Sequence, residues 1–257
     1  MAEKETRNNP KDLIEAVPEE LEKLETADIP IIEKRLTRDE AETSQRLASW
    51  VPKTQIGRDV REGRERDIDN ILKHRKKILE PEIVETLLML ENDLLEIGQA
   101  KGKFGGGKRR AWRQTQRKTM EGNVVTFSAM AVVGDRNGHI GIGTGKAKET
   151  LPAREKAIRN AKLNVIHIER GCGNFDCSCN EKHSLPFISQ GKSGSVRVKL
   201  MPAPQGTGLV VGDELKKILR LAGIKDAYGV SSGNVRTTLN AAKACFDALR
   251  RTNLIKR

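Results

Sequence analysis

Aromatic residues are nearly missing. They make up 3% of the 257 residues, against 37% hydrophobic and 32% charged. That balance implies modest cores beneath a large charged surface. No apolar run reaches the ~18 residues of a transmembrane helix. The opening stretch, MAEKETRNNPKDLIEA, has no apolar signal-peptide region. Neither a membrane protein nor a secreted one is expected. The expected compartment is a reducing cytoplasm, where clustered thiols point to metal or catalysis more than to disulfides.

Acidic side chains thin out along the chain. Residues 1–100 hold 17 Lys+Arg and 24 Asp+Glu, a net of −7, whereas residues 101–257 hold 30 and 11, a net of +19. A basic field of that size attracts a polyanion. Nucleic acid fits it better than an anionic membrane, because no long basic amphipathic helix with bulky apolar residues accompanies it. The densest stretch is KGKFGGGKRRAWRQTQRK, residues 101–118, with eight basic side chains, no acidic one and three consecutive glycines. Its cations can neutralise phosphates, and Phe104 or Trp112 can stack on bases. A solvated basic loop is the plainer alternative.

Catalytic signatures are missing too. GKS at Gly191–Ser193 lacks the leading glycine of a phosphate loop, and Pro186 stands in its place. GIGTGK, from Gly141, puts Lys146 or Lys148 where a dinucleotide fingerprint needs its third glycine. His139 and His167 have no evident acid partner in the sequence and read as surface or packing residues. Neither a small-molecule substrate nor a general-base constellation is indicated.

What is present is an α+β pattern. Residues 1–48 are acidic and weakly periodic, with short helices at PKDLIEAVPEELEKLE and TRDEAETSQRLAS or disorder until a partner binds. RERDIDNILKHRKK and PEIVETLLMLENDLLEI read as helices, the second opened by Pro81, its later part alternatively a strand. AWRQTQRKT, 123–134 and 139–143 read as strands, with a tight turn at Asp135–Gly138. A helix over 151–164 follows, capped by Thr150, with Leu151, Ile158, Ala161 and Val165 on its core face.

Further on, SVRVKLMPA and GTGLVVG read as strands. A helix capped by Asp213, with Leu215, Ile218, Leu219 and Ala222 inward, ends at Gly223. A last helix spans 234–251, with Leu239, Ala242, Phe246 and Leu249 inward. The expected division is 1–100 as an acidic N-terminal extension, helical or partly extended; 101–168 as a first domain, a three-stranded sheet plus helix carrying the basic insert 101–118; 169–184 as a cysteine-rich loop; and 185–257 as a second α+β domain.

Three of the four cysteines lie close together in GCGNFDCSCNEKH. The spacing C-x4-C-x-C-x3-H selects Cys172, Cys177, Cys179 and His183. Cys3His is a set that holds structural zinc in a closed tetrahedron. Gly171 and Gly173 help the loop fold back, and Lys182 favours thiolate. Four ligands from one loop leave no open position for catalysis. Reactive thiols and unligated thiols in a packed loop remain alternatives. Cys245, beside Phe246, reads as a small core residue.

VVGDRNGHIGIGTGKAKE, AKLNVIHIERG and HSLPFISQGKSGSVRVKLMPAPQGTGLVVGDELKKILRLAGIKDAYGVSSGN together resemble the universal small-subunit ribosomal protein five family over about residues 110–250. WVPKTQIG resembles the archaeal and eukaryotic branch; the cysteine loop and the long extension resemble the archaeal type. The resemblance implies a first domain similar to the double-stranded-RNA-binding fold and a C-terminal domain with a left-handed β-α-β crossover. It implies a non-enzymatic constituent of the small ribosomal subunit that binds rRNA near where mRNA enters and is decoded, supporting assembly and translational accuracy. The neighbours it implies are small-subunit ribosomal proteins four and eight, with protein three nearby.

The family's basic hairpin turn falls here on Met120–Glu121–Gly122–Asn123, which carries no basic residue. Contacts to rRNA are therefore expected from Lys108, Arg109, Arg110, Arg113, Arg117 and Lys118. Arg136 and Asn137 match the family's GD-x-x-G turn, and Lys146 and Lys148 its GKA-x-E segment. His183 matches a histidine that relatives keep without the cysteines, so packing or RNA contact is its alternative role. Competing readings are a zinc-stabilised RNA chaperone outside the ribosome and a metal-dependent RNA-modifying enzyme.

Overall fold

The computed structural model describes residues 45–74, 76–99, 109–175, 177–179 and 181–253. The readings made for residues 1–44, and Lys108 with the glycine-rich part of the basic insert, lie outside them. No helix among the described residues is long and apolar enough to cross a membrane.

The unit that begins at Ser49 opens with three short helices: α1 (Gln55–Arg61), α2 (Ile68–Lys73) and α3 (Pro81–Leu87). Thr54 caps α1 by accepting the Gly57 N–H at 3.1 Å, and Pro81 supplies the pre-set first turn of α3. Ile68, Ile71, Ile78, Ile83 and Val84 bury together with Val60 and Val165. Segment 49–99, grouped by its charge with the acidic extension, thus packs onto the sheet that follows it.

Glu80 ties the start of this segment together. Its carboxylate accepts the Lys53 N–H (2.9 Å), the Thr54 N–H (2.7 Å) and the Trp50 indole N–H (2.9 Å). Burial pushes its pKa up, but these hydrogen bonds outweigh burial and hold it below its ordinary value of 4.5. Glu80→Ala strands three donors and is expected to cost about 2 kcal/mol, a fall of about 4–8 °C in Tm. Because the folded pKa is lowered, Glu80's contribution is full above pH 4.5 and fades as pH falls through the folded value. Melting curves of parent and variant should therefore separate most at pH 7 and draw together as pH falls below 4.5 and through the lowered folded value. A gap unchanged by pH would refute the assignment.

Strands β1 (Glu91–Leu94), β2 (Trp112–Thr119), β3 (Gly122–Gly134), β4 (His139–Ala147) and β5 (Val165–His167) form a five-stranded sheet. The three expected strands are β2, β3 and β4. One edge of β3 pairs with β4, while the other pairs first with β2, over Gly122–Ala129, and then with β1, over Ala131–Gly134. This explains why PEIVETLLMLENDLLEI is a helix only as far as Leu87 and takes the strand alternative in its later part. Leu88 is extended (φ −128°, ψ 138°), and residues 91–94 occupy the backbone groups of β3 that β2 leaves unpaired.

Both faces of β3 and β4 are covered, so Ala129–Gly134 are buried without alternation. On one face, Ala129 and Ala131 pack against Ala153 and Ala157 of helix α4 (Thr150–Leu163). On the other, Met130, Val132, Ile140 and Ile142 share one core with Leu215, Ile218 and Leu219 of the C-terminal half.

The α4 face carries a run of missing side chains. Gly141, Gly143 and Gly145 alternate along β4, and a Cβ at any of them would stand less than 3.0 Å from main-chain atoms of Ala153, Ala157 or Ala161. Helix and strand therefore meet backbone to backbone. That contact selects Ala153, Ala157 and Ala161 as the buried stripe of α4 in place of the expected line through Leu151, which is 65% exposed. GIGTG is thus a packing surface. The cap of α4 also differs: Glu149 occupies that position, without a side-chain bond.

A second sheet holds β6 (Ser189–Ser193), β7 (Val196–Pro202), β8 (Leu209–Val210) and β9 (Ala227–Ser232), in the order β6-β7-β9-β8. Between parallel β8 and β9 runs α5 (Asp213–Leu221), which completes a β-α-β unit and is stopped by Gly223 (φ 79°). Helix α6 (Thr238–Thr252) covers the sheet. GKS lies in β6, where the bare Gly191 admits Ala244 and Ala248 of α6. Cys245 is fully buried, and burial pushes its thiol up to about 12.

Candidate metal centre and nucleic-acid face

The cysteine loop is closed at its base. Gly171 and Ser184 exchange backbone hydrogen bonds of 2.9 Å, and Gly173 donates to the Leu185 carbonyl at 3.1 Å. Gly173 lies so close to the Pro186 main chain that a Cβ would overlap it. This closure gathers Cys172 Sγ, Cys177 Sγ, Cys179 Sγ and a His183 nitrogen within 4.8 Å of one another. Cys177 and Cys179 sulfurs are 3.0 Å apart, and His183 Nε2 lies 3.6 Å from Cys177 Sγ. The Cys179 thiol, helped by the Gln205 backbone, pulls Cys177 down to about 6, and the same partnership pushes Cys179 up to about 11. One thiolate thus faces one thiol, the arrangement a cation completes by displacing the remaining proton.

His183 is 1% exposed, and its orientation is fixed from behind. Its Nδ1–H donates to Asp226 Oδ2 at 2.8 Å, which leaves Nε2 with a lone pair toward the sulfurs. Asp226 Oδ1 accepts the Gly208 N–H (2.7 Å), and Ser184 Oγ donates to the Asp226 carbonyl (2.6 Å). A carboxylate behind a ligating imidazole is the usual support of a metal site. Asp226 was invisible from sequence: it lies 43 residues from His183, just past the helix stop at Gly223.

A second group of donors was also missed. His139 and His167 are opposite each other in the β4–β5 pairing, which brings their rings to one face. Asp69, from α2, meets both: Oδ1 is 2.8 Å from His139 Nε2 and 3.1 Å from His167 Nδ1. His139 Nδ1 lies 2.6 Å from Asp135 Oδ2. Burial alone would lower His139, but its bonds to Asp135 and Asp69 leave it raised, while burial leaves His167 lowered. Asp69 and Asp135 are both held down by the imidazoles against the upward push of burial. Both histidines, read as lone residues, therefore have acid partners. The only trace in the sequence was Asp135 four residues before His139.

The basic residues divide by position. In the register, Arg113 sits opposite Ser128, and Ser128 opposite Lys146. Arg113 and Lys146 thus lie in one row across the sheet. Arg117 is four residues on from Arg113 and shares its face, while Lys118 is on the other. Arg109, Arg110, Arg113, Arg117, Lys118, Lys146 and Lys148 are all exposed. Gly98 N–H donates to the Arg110 carbonyl at 2.8 Å. The β2–β3 hairpin ends in Met120–Glu121, with Met120 fully exposed.

Arg136 and Asn137 lie at the opposite end of β3 and are engaged there. Arg136 (φ 58°) pairs with Glu91 at 2.6 Å, and its N–H donates to the Leu221 carbonyl at 2.9 Å. Asn137 accepts Arg170 at its carbonyl (3.0 Å) and its side-chain oxygen (3.1 Å). The structure thus groups Arg113, Arg117 and Lys146 and places Arg136 and Asn137 apart from them, against the C-terminal half.

Residues 109–169 match the family model for the ribosomal protein S5 N-terminal domain, and residues 191–257 match that for its C-terminal domain. The cysteine loop lies between the two matches. The small ribosomal subunit protein uS5 of Nanoarchaeum equitans is 47% identical over 211 residues, covering 82% of this chain and 90% of that protein. The uS5 proteins of Pyrobaculum aerophilum (46% over 211 residues, 82% and 90%) and Picrophilus torridus (47% over 208 residues, 80% and 87%) are similarly related. Family matches over 109–169 and 191–257, with an identity of that size over 82% of the chain, have one explanation: the chain belongs to the ribosomal protein S5 family, alongside its archaeal members.

Proposed function

We infer that this chain is a structural, non-enzymatic constituent of the small ribosomal subunit that binds rRNA and neighbouring ribosomal proteins. The observation that carries this reading is the 47% identity across 82% of the chain to a small-subunit protein. The finer reading follows the same resemblance. The first sheet with α4 acts as a double-stranded-RNA-binding-like domain, and the β8–α5–β9 crossover is left-handed. The protein sits near where mRNA enters and is decoded, beside small-subunit proteins four and eight, with three nearby.

The RNA contacts in this reading come from Lys108, Arg109, Arg110, Arg113, Arg117 and Lys118, with Lys146 extending the Arg113 row. Arg136, Asn137 and Lys148 are secondary contacts. The exposed, two-faced β2 supports the assignment, since a strand with no core to bury is free to meet a ligand. Association with small-subunit rRNA should be measured against salt. Neutralising the six residues of the first group is expected to lower the log–log slope by up to ~5. An unchanged slope overturns the RNA assignment. Parent protein that fails to sediment with small subunits at high salt overturns the ribosomal one in favour of a free RNA chaperone.

We further infer that the cysteine loop holds a structural zinc through Cys172, Cys177, Cys179 and His183. The donor set fits the ion: three sulfurs and one oriented imidazole, on a loop with almost no core of its own. Zinc binding in finger peptides is worth ~10–16 kcal/mol apparent, ample to order such a loop.

A further inference from the structure

We propose that Asp69, His139 and His167 form a second, separate divalent-metal site, of the class that takes zinc or a neighbouring transition ion. Three donor atoms from three elements converge there. Asp69 Oδ1, His139 Nε2 and His167 Nδ1 form a triangle with edges of 2.8, 3.1 and 3.4 Å. Ligands at ~2.0–2.1 Å around a tetrahedral zinc stand about 3.3–3.4 Å apart. The longest edge already fits, and the shortest needs to open by about 0.5 Å.

Hydrogen bonding accounts less well for the same arrangement. Asp69 Oδ1 would receive both ring N–H groups on one atom, and those two nitrogens, 3.4 Å apart, would bring their protons toward each other. A cation uses both lone pairs at once and removes that conflict.

The surroundings match a metal site in two further ways. Asp135 holds the far nitrogen of His139 at 2.6 Å, as Asp226 holds His183 in the cysteine loop. A carboxylate there fixes the ring and strengthens it as a ligand. The side chains of Asp69 and His167 are 38% and 27% exposed, so the site has a solvent side where water completes the coordination. Asp69, Asp135 and Glu169 offset Lys73 nearby. Two imidazoles among three donors select zinc, cobalt, nickel or iron over magnesium and calcium. The ion would cross-link α2 to both β4 and β5, clamping the helical segment onto the sheet.

The site is separable from the cysteine loop by its ligands. Full-length protein, freed of metal under reducing conditions, should be titrated with Co²⁺ alone. Binding to the thiolates gives strong sulfur-to-cobalt charge-transfer absorption. Binding at Asp69–His139–His167 gives only weak d–d bands. We expect two cobalt ions per chain, one of them adding no charge-transfer intensity. H167Q and D69N should weaken that ion at least tenfold and leave the charge-transfer event unchanged, and D135N should weaken it about 10–100-fold. Circular dichroism reports whether each variant is folded; His167, being partly exposed, is the substitution the fold best tolerates. A chain that saturates without a sulfur-free event, or a sulfur-free event that folded H167Q leaves untouched, overturns the proposal. Loss of the charge-transfer event alone would count against zinc in the cysteine loop and not against this site.

Discussion

Gly143→Ala is expected to lower Tm by at least about 6 °C, from a loss of about 3 kcal/mol or more. The added methyl would overlap the backbone of Ala157 and Ala161, including a main-chain nitrogen and a carbonyl oxygen. No rotamer change relieves such a clash, because neither neighbour has a movable side chain beyond Cβ. The helix must lift along its length, and the contacts at Gly141 and Gly145 lift with it. Against a total stability of ~5–15 kcal/mol, that is a large share. Thr144 is the control: it is exposed on the same strand, and Thr144→Ser should change stability by less than ~0.5 kcal/mol. Thermal melting by circular dichroism decides. Gly143→Ala melting within 2 °C of the parent would show that α4 does not meet β4 backbone to backbone.

Asp226 carries the second large effect, and two substitutions separate its two roles. Asp226→Ala leaves the buried His183 Nδ1–H and the Gly208 N–H without an acceptor. At ~1–3 kcal/mol for each stranded donor, the expected loss is about 3 kcal/mol even without metal. Asp226→Asn keeps an acceptor for Gly208 but turns an amide N–H₂ toward Nδ1. The imidazole then carries its proton on Nε2, aimed at the sulfurs, and can no longer ligate. Zinc affinity should fall about 10–100-fold while metal-free stability stays within ~1 kcal/mol of the parent. Chelator competition gives the first number and melting in excess chelator the second. Asp226→Asn with the parent's zinc affinity would remove His183 from the ligand set.

Local signals in the sequence carried as far as local chemistry reaches. Glycine at 223 stops α5 and Pro81 starts α3 because both act on their own backbone. The cysteine spacing was legible because all four donors lie on one loop. Residues 91–94, left open between helix and strand, form a strand because β3 presents an unpaired edge forty residues away. Two features were not legible, and each depends on a distant partner. The buried stripe of α4 follows from bare glycines in β4, so a reading that sought the largest apolar residues chose Leu151 over Ala153 and Ala157. Asp69 meets His139 across 70 residues, with nothing in either neighbourhood to announce it. Ala129–Gly134 show no alternation for a related reason: a strand covered on both faces has no polar side to show.

The single core that joins the two halves sets a waiting time during synthesis. Met130, Val132, Ile140 and Ile142 have their partners in Leu215, Ile218 and Leu219. The ribosome must add about seventy to eighty further residues before those partners exist, which at ~5–20 residues per second takes ~4–16 s. For that interval one face of the first sheet is a bare apolar surface on a nascent chain, although β2–β4 are complete and α4 follows within about twenty residues. The first half can thus assemble its strands early but cannot become dry until the second arrives. A holdase that recognises short aliphatic stretches has its window there, between the emergence of β4 and that of α5.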